Sequence, residues 1–92
     1  MSQESPLEFP CRFSIKAMTR ASGAGESDPA VQAVVQAVEQ HAGPVETASV
    51  SVRDSARGNY RAVTVVIQAE SREQLDAIYH ELTAMETVLM AL

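Results

Sequence analysis

The sequence predicts an α+β domain of the ferredoxin-like type, a βαββαβ sandwich with a four-stranded antiparallel sheet and two helices on one face. Three observations carry this. Two segments show helical apolar stripes with recognisable caps, and three others alternate with period two ahead of a short apolar strand at the end. Their order along the chain is strand, helix, strand, strand, helix, strand, and two right-handed βαβ halves leave few other arrangements.

Residues 1–8 (MSQESPLE) read as a flexible polar tail ahead of one domain over residues 9–92. Phe9, Cys11, Phe13, Ile15 and Ala17 then alternate with Arg12, Ser14, Lys16 and Met18, which is the pattern of a strand with one buried face. Pro10 is tolerable at the start of such a strand. Residues 19–27 carry Gly23, Gly25 and small polar residues and read as a loop. Asp28 is a good N-cap and Pro29 suits the first helical position. Val31, Val34, Val35, Val38 and Ala42 form one apolar stripe, and Gly43 with Pro44 ends the helix.

Ala48, Val50 and Val52 alternate with Ser49, Ser51 and Arg53 as a second strand. Turn residues 54–59 lead to a third over residues 60–70, so the pair reads as a hairpin. Gly58 or Asn59 can supply the positive φ that a tight turn needs. Ser71 and Gln74 form a capping box ahead of Leu75, Ile78, Tyr79, Leu82 and Met85, and residues 88–92 make the last strand. The core expected from these faces is Phe13, Ile15, Val50, Val52, Val63, Val65 and Ile67 of the sheet under Val31, Val34, Val35, Val38, Leu75, Ile78 and Leu82 of the helices. The open face then shows Arg12, Ser14, Lys16, Ser49, Ser51, Arg53, Tyr60, Ala62, Thr64, Val66 and Gln68.

Composition narrows the function classes. Ninety-two residues make one domain of modest stability. No apolar run approaches the roughly 18 residues of a membrane span. The first residues lack the basic start and apolar stretch of a signal peptide, and a lone cysteine makes no disulfide framework. These features lead us to expect a soluble cytoplasmic protein. A net charge of −5 argues against a general nucleic-acid binder.

Each candidate chemistry has a plainer rival. RNA-recognition domains of this topology stack bases on central-strand aromatics, whereas these strands offer one ring, Tyr60. Soft-metal chaperones need two nearby cysteines, and an acylphosphatase phosphate loop has no counterpart here. Cys11 with His41 or His80 could be a nucleophile and base. The plainer reading makes Cys11 a core residue, His41 a helix-end residue and His80 a solvent-facing one. Gly23-Ala24-Gly25 could cradle an anion, but Glu26 and Asp28 would repel it. Arg12, Lys16 and Arg53, with Tyr60 nearby, share the open face and could bind an anionic ligand or an acidic patch of a partner. The plainer reading there is a solvated sheet face.

Three stretches, EFPCRFSIKAM over residues 8–18, ARGNYRAVT over residues 56–64 and VLMAL over residues 88–92, resemble the YbeD-like (UPF0250) family of small bacterial proteins. That family is of unknown function. The resemblance implies a ferredoxin-like fold, likeness to ACT-type ligand-sensing domains, a regulatory role and a link to lipoate metabolism. It implies no catalytic residue to carry over. Thr19 stands where relatives often have Gly. The combined expectation is a non-catalytic regulatory domain, without metal or cofactor, that binds a small metabolite or a protein, with a homodimer as one way to build the site. Its rivals are a protein-interaction module using the open sheet face and an enzyme built on Cys11.

Overall fold

A computed structural model describes residues 8–22 and 28–92. Strand β1 is Cys11–Arg20, helix α1 is Pro29–Ala42, β2 is Val50–Asp54, β3 is Tyr60–Ala69, helix α2 is Arg72–Ala84 and β4 is Val88–Ala91. The strands form one four-stranded antiparallel sheet, as the sequence predicts, in the order β2-β3-β1-β4. Residues 1–7 of the expected tail over residues 1–8, and the Gly23-Ala24-Gly25 cradle, lie outside the described residues. No helix among the described residues is long and apolar enough to cross a membrane.

Both helices are capped at the residues expected, with Gln74 reaching back one residue beyond the cap. The Asp28 carboxylate accepts the Ala30 amide at 2.8 Å, and Gly43 leaves α1 with a φ of +82°. Ser71 Oγ accepts the Gln74 amide at 3.1 Å, while Gln74 Oε1 accepts the amide of Glu70 at 2.7 Å. The Gln74 side-chain amide also donates to the His41 carbonyl, joining the start of α2 to the end of α1. In the hairpin Gly58, not Asn59, takes the positive φ, at +75°.

The two helices cover one face of the sheet. Ile15, Val63 and Val65 lie fully buried beneath Val34, Val38, Ile78 and Leu82, and Ala17, Ala37, Ala69 and Val88 complete the layer. At about 1.5–3 kcal/mol for each fully buried aliphatic side chain, this layer outweighs the few rings. Phe13 is half-buried and meets Tyr79 edge-on, with ring centroids 6.5 Å apart. Val35, Val50 and Val52, expected in the core, are also only half-buried, because α1 leaves part of β2 uncovered.

Two boundaries differ from expectation. Strand β1 runs on through Thr19 and Arg20, which pair with Arg61 and Tyr60 of β3 while Thr19 also meets Val88 of β4. The second strand starts only at Val50, since Thr47–Ser49 winds into a 3-10 turn. Ser49 is therefore not on the open face.

A buried polar cluster closes the end of the sheet near the start of α1. Arg61 points inward, its Nη1 2.5 Å from Asp28 Oδ2 and its Nε 2.8 Å from Asp54 Oδ1. Asp28 Oδ2 also accepts the Ser22 amide. Burial would raise the Asp28 carboxyl, but the Ser22 and Ala30 amides and the Arg61 guanidinium outweigh it and hold the group below 3.8. Bonds to Asp54 and Asp28 raise Arg61 in turn. Beside this cluster the buried Thr19 hydroxyl has no hydrogen-bond partner among the described residues.

Two stability outcomes follow. A folded-state carboxyl held low stabilises the fold above its unfolded pKa, and that contribution is lost as pH falls through the folded value. Asp28→Asn keeps a capping side chain and should lower stability at neutral pH, with the gap to the parent protein closing below pH 3.8 in urea titrations. A gap independent of pH would remove the charge from the explanation. Thr19→Val removes a buried hydroxyl without a partner and should add about 1 kcal/mol, raising Tm by roughly 4–8 °C. An unchanged or lower Tm would show that the hydroxyl is satisfied.

Candidate functional site

The face left open by the helices is built by strand parity. Along β1 the outward positions are Arg12, Ser14, Lys16, Met18 and Arg20, and along β3 they are Tyr60, Ala62, Thr64, Val66 and Gln68. Register aligns them in rows. Arg53 of β2 lies opposite Ala62, which lies opposite Met18, which lies opposite Met90 of β4. The next row runs from Ser51 through Thr64 to Lys16, whose backbone exchanges hydrogen bonds with Leu92. Arg20 lies opposite Tyr60 on the other side.

The four residues singled out from sequence, Arg12, Lys16, Arg53 and Tyr60, are all exposed on this face. They do not converge on one point. With about 4.8 Å between strands and 6.8 Å between outward neighbours, Lys16 and Arg53 are rooted about 12 Å apart. Arg12 is rooted about 20 Å along β1 from the Met18 row. Arg20 is a fourth cation there, and with Tyr60, Gly58 and Asn59 it lines a shallow hollow at the hairpin end. Sequence reasoning missed it by ending β1 at Met18, although Arg20 continues the same parity.

Charge is sorted between the two sides. Arg12, Lys16, Arg20 and Arg53 are four of the seven cations of a chain with net charge −5. Among the described residues, no Asp or Glu occupies an outward position of these strands. The carboxylates of Glu39, Glu73, Asp76 and Glu81 stand on the helices instead. Met18, between Lys16 and Arg20 on β1, continues across to Met90 and Leu92 at the β4 edge as an apolar strip beside the cations, these three residues being 38%, 52% and 70% exposed.

The other candidates do not assemble. Cys11 is half-buried against the core, His41 Nε2 lies 2.8 Å from Glu81 Oε1 and His80 is exposed. No described hydrogen bond joins the thiol to either ring. Tyr79, its pKa raised by burial, donates its hydroxyl to the Leu92 carbonyl and so serves the packing of β4. Among the described residues, no group of three or more His, Cys, Asp or Glu side chains is arranged to hold a metal ion.

Comparison with known proteins adds the following. Residues 4–92 match a family described as "Protein of unknown function (DUF493)". The chain is 42% identical over 90 residues to a UPF0250 protein of Paraburkholderia phytofirmans, covering 97% of this chain and 94% of that one. It is 37% identical over 91 residues to a UPF0250 protein of Neisseria gonorrhoeae, covering 99% and 94% of the two chains. A UPF0250 protein of Ralstonia nicotianae is 39% identical over 90 residues, covering 98% and 88%. The solution structure of protein HP0495 from H. pylori superposes with a TM-score of 0.72 at 11% identity, covering 99% of this chain and 90% of that one, and supports the ferredoxin-like fold.

Proposed function

The chain belongs to the UPF0250 (DUF493) family of proteins of unknown function, and we propose that it works without catalysis, as a binding module whose open sheet face takes up an acidic protein surface. One observation carries this reading: four of seven cations share a face without carboxylates among the described residues, in a chain of net charge −5. Such a face steers an acidic partner into register and repels basic ones. The strip of Met18, Met90 and Leu92 beside the cations supplies apolar area that a partner can desolvate.

The spread of the cations favours a protein surface over a small metabolite. Cations rooted across about 12–20 Å match the patch that a partner protein covers better than they match one compact anion. A face-to-face homodimer would set these cations against their own copies. Nucleic acid is disfavoured by the acidic chain and by the single ring available for stacking. A regulatory role would then be exercised through the partner that the face engages.

The test is capture from a lysate of the native host on immobilised protein, with Lys16→Glu/Arg53→Glu as the comparison. An acidic protein should be retained at low salt and released as salt rises. Its affinity for the charge-reversed variant should fall at least about tenfold, or 1.4 kcal/mol. Retention unchanged by charge reversal would refute the reading.

A further inference from the structure

A second surface lies on the other side of the molecule. A groove of about 660 Å³ runs between α1 and β2, with Val31 and Val35 on the helix wall and Val50 and Val52 on the strand wall. It is present because α1 does not fully cover the edge of the sheet, and β2 is that edge. Register determines where the backbone of β2 points. The Ser55 amide donates to the Tyr60 carbonyl at 2.9 Å, so these two form a hydrogen-bonded pair. Alternation makes Arg53 with Ala62 and Ser51 with Thr64 the next bonded pairs. The N–H and C=O groups of Val52 and Asp54 are therefore aimed away from the sheet. Among the described residues, no backbone group meets them. The side chains of these same two residues line the groove.

We propose that β2 accepts an added strand from a partner protein: an extended segment with small apolar side chains at alternate positions and basic residues at its ends. Added backbone pairs with Val52 and Asp54, and because strand side chains alternate, every second one enters the groove over the valines. The ends of the segment meet carboxylates. Asp54 and Glu39 both line the groove and, among the described residues, no Lys or Arg does. Asp54 also holds Arg61, and Glu39 also accepts the Val45 amide at 2.9 Å, so both carboxylates are held in place. A second copy of this chain would add its own Glu39 and Asp54 to the groove instead of the cations that would match these carboxylates. A small apolar molecule would leave the outward N–H and C=O groups unmatched. This site stands apart from the open sheet face, and neither needs the other.

The probe is the peptide acetyl-Lys-Thr-Val-Thr-Val-Thr-Lys-amide, titrated into the isotope-labelled full chain and followed by amide NMR. Shifts should concentrate on Val50–Asp54 and on residues 31–39, with the Val52 and Asp54 amides slowed in exchange. The same peptide with Glu in place of Lys should bind at least about tenfold more weakly. Val52→Pro removes an outward N–H and no ladder bond, a change that edge strands tolerate, and should abolish binding while the spectrum stays dispersed. Glu39→Gln keeps an acceptor for the Val45 amide and should weaken the lysine peptide several-fold. Shifts centred on the open sheet face, equal binding of both peptides, or binding unaffected by Val52→Pro would each overturn the proposal. So would self-association that Val52→Pro abolishes, because it would seat a second copy on β2.

Discussion

The Arg61 guanidinium ties three elements together at one end of the sheet. It reaches from β3 to Asp28, the cap of α1, and to Asp54, the last residue of β2. A cation on the helix-covered face is costly to bury unless it is paired, and here two carboxylates pair it while the Ser22 and Ala30 amides share the load on Asp28. The start of α1 is thereby pinned over the sheet. Where that helix sits decides both what is covered and what is left open.

One open face follows from placing both helices on the same side. On the covered side, valines, alanines and leucines pack at strand and helix periods, and Arg61 is admitted only with its partners. On the open side no packing constraint acts, and the strands present cations spaced along β1 and β2 beside an apolar strip that runs from Met18 to the β4 edge. The groove beside β2 is the other consequence of the same helix placement. Lying over β1 and β3 more than over β2, α1 leaves Val50 and Val52 half-covered and the edge unpaired. The two surfaces differ in charge and in geometry: a flat cationic sheet face, and an apolar channel with carboxylates in its lining.

Much of the fold was legible in the sequence because its signals are local. The caps at Asp28 and Ser71, the stops at Gly43 and Gly58 and the parity of residues 11–18 each depend on near neighbours, and they hold. What escaped depends on contacts distant in the chain. Thr19 and Arg20 look like loop residues in isolation, and pairing with Tyr60, Arg61 and Val88 makes them strand. Position 61 has the parity of a core residue and the chemistry of a surface one. Its burial can be understood only once Asp28, 33 residues away, is seen beside it. For the site, Arg12, Lys16, Arg53 and Tyr60 could be assigned to one face by period two alone. Their separation across that face could not, since it depends on strand order and register. The groove left no sequence signal, because Val50 and Val52 have the pattern of fully buried residues.

The claim on which the account rests is that charge is separated between the open face and the helices. Solvent paramagnetic relaxation of backbone amides, recorded with matched anionic and cationic nitroxide probes, reports local surface potential residue by residue. The account predicts that the anionic probe is enriched over the cationic one along β1 and β2, most strongly near Lys16, Arg20 and Arg53, with the reverse near Glu73, Asp76 and Glu81 of α2. Equal relaxation by the two probes along β1, or a preference there for the cationic probe, would contradict it.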